Sequence, residues 1–229
     1  MFSYYFDPTY ILVIIAFLLT LFASMGVKST FSKYNDVRSS RGITAASAAR
    51  QILDANGLQN IRVEHVSGDL TDHYSPNENV IRLSDSTYNS TSVAAIGVAA
   101  HECGHAVQHQ VGYVPIKIRN GIVPIVNVCN TLSMPIFIIG LILGLGRLAM
   151  VGAILFGALL EFQLVTLPTE INASRRAMKT LESMYLLEGD ELTGARKTLT
   201  AAAMTYVAAV ASTALQFLRL VLLANRRRD

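Results

Sequence analysis

Five consecutive residues of this chain have the types and spacing that metal chemistry requires: His101-Glu102-Cys103-Gly104-His105. Two histidines four apart stand on one face of a helix, one turn from each other, and can grip one metal ion. A zinc ion held there would bring the pKa of a water toward neutrality, polarise a carbonyl and stabilise an oxyanion. Glu102 adjoins the first histidine, so it can take a proton from that water and later deliver it to a leaving amine. The same pattern can also be no more than a solvated helix face. The small residues around it, among them Ala94, Ala95, Ala99 and Ala106, favour a helix that neighbours approach closely.

A catalytic zinc site uses three protein ligands and keeps one position open. His109 continues the stripe, but it lies two turns from His101, too far along a straight helix to close a compact site. A carboxylate from a second helix has better geometry. Glu170 follows Pro168 at the expected start of such a helix. By position alone, Glu170 is equally a ligand or a favourable acid in a helix's first turn.

Other residues admit a role and a plainer reading. His73, in Asp72-His73-Tyr74, can position substrate or is a surface residue beside a turn. Tyr206, in the last apolar run, can stabilise a tetrahedral oxyanion or is an interfacial aromatic. Glu161 is an ionisable group inside an apolar run, which marks it for attention, although it lies near the run's end. Arg175 and Arg176 read as anchoring charges. Cys103 and Cys129 read as small apolar fillers and form no disulfide framework.

The elements that must position this chemistry point to a bilayer. Hydrophobic residues make up 52% of the 229 and charged residues only 15%, whereas a soluble domain carries about 25% charged residues. Tyr10 to Val27 is uncharged. No Lys or Arg precedes Lys28, so it reads as a retained anchor and not a cleaved signal. Lys28 to Gly42 reads as a polar surface linker, and Thr44 as the cap of a helix over Ala45 to Ala55 that Asn56-Gly57 stops. Asn60 to Val66, Leu70 to Tyr74 and Asn79 to Ser84 read as three short strands of a small antiparallel sheet. A helix from Ser92 to Gln110 carries the motif. Gly121 to Gly146 and Leu148 to Leu167 read as two membrane helices joined by a hairpin at Gly144-Leu145-Gly146-Arg147. Thr198 to Leu218 is a fourth uncharged run.

The expected organisation is an anchor over 1–27, a core with the motif helix over 28–120, a membrane hairpin over 121–168, a third-ligand helix over 169–197, and a last membrane helix with a basic tail over 198–229. Basic residues cluster in the stretches that hold the core, which the positive-inside rule assigns to the cytoplasm. Arg226-Arg227-Arg228 conflicts with that rule if the last run fully crosses.

The segments His101-Glu102-Cys103-Gly104-His105-Ala106-Val107-Gln108 and Glu170-Ile171-Asn172-Ala173-Ser174-Arg175-Arg176-Ala177, with Leu70-Thr71-Asp72-His73-Tyr74 and Val80-Ile81-Arg82-Leu83-Ser84, resemble the YugP-like membrane zinc metallopeptidases over about residues 40 to 200. More distantly the chain is similar to the HtpX heat-shock peptidases and the CAAX prenyl endopeptidases. The resemblance implies an α+β membrane protein with a gluzincin-like core and about four transmembrane helices. It implies one Zn2+ per chain, with Glu170 as third ligand. It also implies an edge strand, Asn79 to Ser84, that takes an extended peptide as an added strand. The distant relatives carry Asp four residues after the ligand glutamate, and here Ser174 stands there. That difference bears on the support of the ligands and not on the ligand itself.

The expected function is a membrane-embedded endopeptidase acting on polypeptide at the cytoplasmic face of a lipid bilayer. An intramembrane protease would take its third ligand from an Asp on a later membrane helix. The only Asp residues after the motif are Asp190 and Asp229, and neither is in an apolar run. A noncatalytic scaffold with a structural zinc would not need Glu102. The net charge of +3, without a basic stripe, argues against nucleic acid. Homo-oligomers and protein partners are not legible.

Overall fold

The computed structural model describes residues 7–226. The part of the expected basic tail formed by Arg227 and Arg228, and residues 1–6 of the expected anchor, lie outside the described residues. In chain order the elements are α1 (Tyr10–Asn35), α2 (Ala45–Ala55), β1 (Arg62–His65), β2 (His73–Ser75), β3 (Val80–Leu83), α3 (Val93–Gln110), α4 (Val114–Ile142), α5 (Gly146–Ser183) and α6 (Gly189–Asn225). The chain divides into two compact units. One holds Met1–Ser24, Ile118–Leu167 and Thr205–Asp229, and the other holds Met25–Lys117 and Pro168–Met204.

The first unit is built from stretches of α1, α4, α5 and α6. These four helices are long and apolar enough to cross a membrane. Their large apolar side chains, including Phe17, Phe22, Ile125 and Ile154, are exposed. So much exposed hydrocarbon on helices is stable against lipid, not water. The small residues Ala149, Ala153 and Ala224 are buried against Phe137 and Leu220. At Gly152 a Cβ would come within 2.5 Å of Phe137 N, so only glycine lets α4 and α5 pack this closely, as membrane helices commonly do. Arg226 donates to Asp7 at 2.9 Å. Helix α6 has the length and composition to span, and Arg226 near its end is paired with a carboxylate.

The second unit carries the core. Thr44 caps α2 by accepting from Ser47 N at 3.2 Å, and Ala45, Ala48, Ala49, Ile52 and Leu53 form its buried stripe. Gly57, at φ +72°, ends it. Ser92 caps α3 by accepting from Ala95 N at 3.1 Å. Helix α2 packs on α3, and α3 on the sheet.

Four expectations are corrected. The sheet is mixed, not antiparallel: its order is β1-β3-β2, with β1 parallel and β2 antiparallel to β3. Val80, Ile81 and Leu83 of β3 are fully buried, whereas Arg62, His65 and His73 on the other strands are exposed. The most apolar strand therefore takes the centre, and Asn79 to Ser84 is not an edge. Second, β2 begins at His73 and not at Leu70, because Leu70 sits at φ +54°, outside the strand region. Third, Lys28 to Gly42 is not all linker. Helix α1 continues to Asn35 because Phe31 is buried and Asn35 accepts from Ser92 Oγ at 2.9 Å. Fourth, no helix starts at Glu170. Helix α5 passes through Pro168, which frees one carbonyl, and Ala173, Ala177 and Leu181 bury themselves at four-residue spacing beyond it. Fully burying a Leu contributes about 1.5–3 kcal/mol, enough to hold the helix beyond the proline.

Candidate metal centre

Helix α3 presents His101 and His105 from successive turns, their rings edge to face with centroids 4.7 Å apart. Glu170 arrives from α5. Its Oε2 lies 3.3 Å from His101 Nε2 and 3.3 Å from His105 Nε2. The three side chains are 14%, 12% and 5% exposed. One donor atom from each falls within 4.8 Å of the others. Glu170 is in the middle of a helix, so the first-turn reading of its carboxylate no longer applies.

Gly104 makes this approach possible. A Cβ at residue 104 would stand 2.6 Å from Ala173 O, so the residue between the two histidines must be glycine for α5 to bring Glu170 this near.

The far side of each ring is also held. Ser174 Oγ lies 3.1 Å from His101 Nδ1, one turn after Glu170 on the same helix. The residue that departs from the distant relatives' Asp therefore occupies the supporting position with a hydroxyl. Gln108 Oε1 lies 3.0 Å from His105 Nδ1. The buried Gln108 amide nitrogen donates to Thr169 O at 2.8 Å and to Asn172 Oδ1 at 3.0 Å, and Arg176 Nε donates to the same Asn172 oxygen at 2.8 Å. With its amide so oriented, Gln108 can only accept from His105. Nδ1 then carries the hydrogen and Nε2 offers a lone pair toward Glu170.

That arrangement tests whether the residues fit a cation. Nε2 of His105 and Oε2 of Glu170 are both acceptors at 3.3 Å, and two facing lone pairs repel unless a proton or metal ion lies between them. Two imidazoles and a carboxylate are a donor set that suits zinc. Proton affinity shows the same demand. Burial opposes charge on His105, but the Glu170 hydrogen bond, the negative charges of Glu102 and Glu170, and the Gln108 contact outweigh it and raise the pKa above the ordinary value.

Glu102 is buried beside the ligands, and its charge is felt at His105. Among the described residues no hydrogen bond to its carboxylate ties it elsewhere. Cys103 points away, its Sγ 3.6 Å from Ala49 O, and burial pushes its thiol pKa up, so it is an inert filler. His109 is exposed and lies edge-on to Tyr74. His73 is exposed on β2, with Nδ1 2.8 Å from Thr71 O. Tyr206 and Glu161 belong to the other unit. Sequence reasoning missed Gln108 and Asn172 as supports. The available signal was that Gln108 lies three residues after His105, on the same helix face.

The sequence model of a family described as "Putative neutral zinc metallopeptidase" matches residues 9–225. The chain belongs to this zinc metallopeptidase family. Among curated proteins, "Putative membrane protease YugP" of Bacillus subtilis (strain 168) is 45% identical over 218 residues, covering 95% of this chain and 97% of the relative. No solved structure matches the chain significantly.

Proposed function

We propose that this protein is a multi-pass membrane zinc endopeptidase of the gluzincin type, with His101, His105 and Glu170 as ligands to one zinc ion and Glu102 as general base. The observation that carries this reading is the convergence of three acceptor atoms beside a buried, untethered glutamate. Zinc bound there would supply Lewis acidity to the scissile carbonyl and acidify a water. The remaining steps belong to the chain. Glu102 takes the water's proton and returns it to the leaving nitrogen. Gln108 and Ser174 keep the ligand rings aimed. The low exposure of the two histidines, 14% and 12%, strengthens each charge interaction.

An extended peptide would pair with the free edge of β2, since β3 is bonded on both sides. Tyr74 of β2 meets His109 of the motif helix, which brings this strand to α3, and His73, exposed on the same strand, would touch substrate. The substrates would be membrane or membrane-near polypeptides, cut on the cytoplasmic side, a reading that the basic residues of the core unit support through the positive-inside rule.

The test compares detergent-solubilised wild type with Glu102→Gln for bound zinc and for cleavage of casein. The expected result is zinc in both and a loss of about 10²–10⁴-fold in rate for the variant. Zinc in both with equal cleavage would remove Glu102 from the mechanism. Zinc in both with no cleavage by either would favour the scaffold reading, and zinc in neither would end the metal assignment.

A further inference from the structure

A second polar concavity lies within the core unit, between the end of α1 and the start of α6. It encloses about 470 Å3 and is lined by Lys33, Arg196 and Lys197 and by the hydroxyl residues Ser29, Thr30 and Thr200. No carboxylate lines it. By contrast, Arg50 pairs with Asp54, Arg82 with Glu78 and Arg226 with Asp7. Among the described residues Lys33, Arg196 and Lys197 have no ion pair and no side-chain hydrogen bond. The acids nearest in sequence are Asp36, which forms no ion pair with the three cations, and Glu191, whose Oε1 accepts from Ser40 N at 2.7 Å. Lys33 Nζ lies 5.5 Å over the Tyr34 ring, but no carboxylate balances the three cations, which repel each other in one concavity, and an anion relieves that repulsion.

The position of the cleft along its helices says which anion. On α1 its residues directly follow the uncharged run that ends at Val27, and on α6 Thr200 stands at the opening of the uncharged run that starts at Thr198. Both walls therefore change from polar to apolar at the cleft, as a spanning helix does at headgroup depth. The walls are also fixed. A Cβ at Gly194 would stand 2.7 Å from the Tyr34 ring and 3.1 Å from Val93 Cγ1, so only glycine lets α6 lie this close to them. Rigid packing, not a loop, keeps α1 and α6 at this separation.

We propose that this cleft binds the phosphate-bearing headgroup of an anionic phospholipid, with Lys33, Arg196 and Lys197 as its cationic contacts. The hydroxyls of Ser29, Thr30 and Thr200 donate to the phosphate oxygens, and the acyl chains follow the apolar runs of α1 and α6. A bound lipid then bridges the end of α1 and the start of α6. The site is independent of peptide hydrolysis.

The test is native mass spectrometry of the full-length protein in detergent, titrated with phosphatidylglycerol or phosphatidylcholine. Wild type is compared with the Lys33→Gln/Arg196→Gln/Lys197→Gln variant and with Arg147→Gln, which removes a cation from the α4–α5 hairpin. All three substituted cleft residues are exposed, and matched thermal unfolding curves check that the variant is folded. Wild type should retain phosphatidylglycerol in preference to phosphatidylcholine, and the triple variant should bind it at least about tenfold more weakly. Lys197→Gln alone should show a smaller loss, Arg147→Gln none, and millimolar inorganic phosphate should not displace the lipid. Equal retention of the two lipids, or equal binding by wild type and triple variant, overturns the proposal. Displacement by inorganic phosphate also overturns it, by identifying a free-phosphate site.

Discussion

Gln108 Oε1 accepts from His105 Nδ1 at 3.0 Å while the same side chain donates to Thr169 O and Asn172 Oδ1. One buried amide thus fixes the tautomer of a histidine on α3 by holding on to the backbone of α5, the helix that brings Glu170. The support of one ligand and the placement of another are a single device. Ser174 does the reverse, reaching from α5 to His101 on α3.

Gln108→Ala should weaken zinc binding about 10–100-fold, the range found when such supports are removed. Ser174→Ala should act in the same direction on His101. Competition with a graded series of chelators measures both. Unchanged affinity in Gln108→Ala would mean that ring orientation is set by packing alone.

Gly104→Ala places a methyl group 2.6 Å from a backbone oxygen of α5. Neither helix backbone can yield cheaply, so the variant should lose about 1–3 kcal/mol of stability and most of its zinc. Gly97→Ala is the contrast. Its Cβ would meet Ala195 at 3.4 Å, an ordinary contact, and alanine is favoured over glycine in a helix by about 1 kcal/mol. It should leave zinc unchanged and the unfolding temperature unchanged or raised. Calorimetry with metal analysis separates the two.

Asp85 sets an acid limit on the sheet region. The backbone N–H of Gly68 and the ring of His65, 2.6 Å away, hold its carboxyl below the ordinary carboxylate value. A depressed native pKa means that the unfolded chain binds this proton more readily. The stability Asp85 adds is therefore full above its unfolded pKa of about 3.9 and is lost as pH falls through the native value. Asp85→Asn should lower the unfolding temperature at pH 7 and flatten its decline below about pH 4. A parallel decline in wild type and variant would remove Asp85 as a source of acid sensitivity.

The local features of the chain were legible because they are written in neighbouring residues. Thr44 and Ser92 cap the helices they precede, the runs from Tyr10 and Gly121 onward are long apolar helices, and His101 and His105 share a face. What was not legible depends on partners distant in sequence. The polar residues after Lys28 conceal that Phe31 and Asn35 are held by the core. The alternation in 60–84 shows three strands but not that the most buried one takes the centre. Pro168 suggests a helix start, and only the burial of Ala173, Ala177 and Leu181 against other elements shows that the helix runs through it. Ser174 looked like a gap in the support of the site, because nothing in a linear sequence states that a shorter hydroxyl side chain still reaches His101.

His101 and Glu170 are separated by 69 positions, and α4 and the apolar half of α5 lie between them. A ribosome adding roughly 5–20 residues per second needs on the order of 3 to 14 s to cover that interval. Throughout it the nascent chain exposes two histidines and a glutamate without the carboxylate that completes the set. On the proposed reading the emerging polypeptide is unarmed while it is being threaded into the bilayer, and the order of synthesis acts as a safety catch: the hydrolytic competence proposed above would come only after the hairpin has been made.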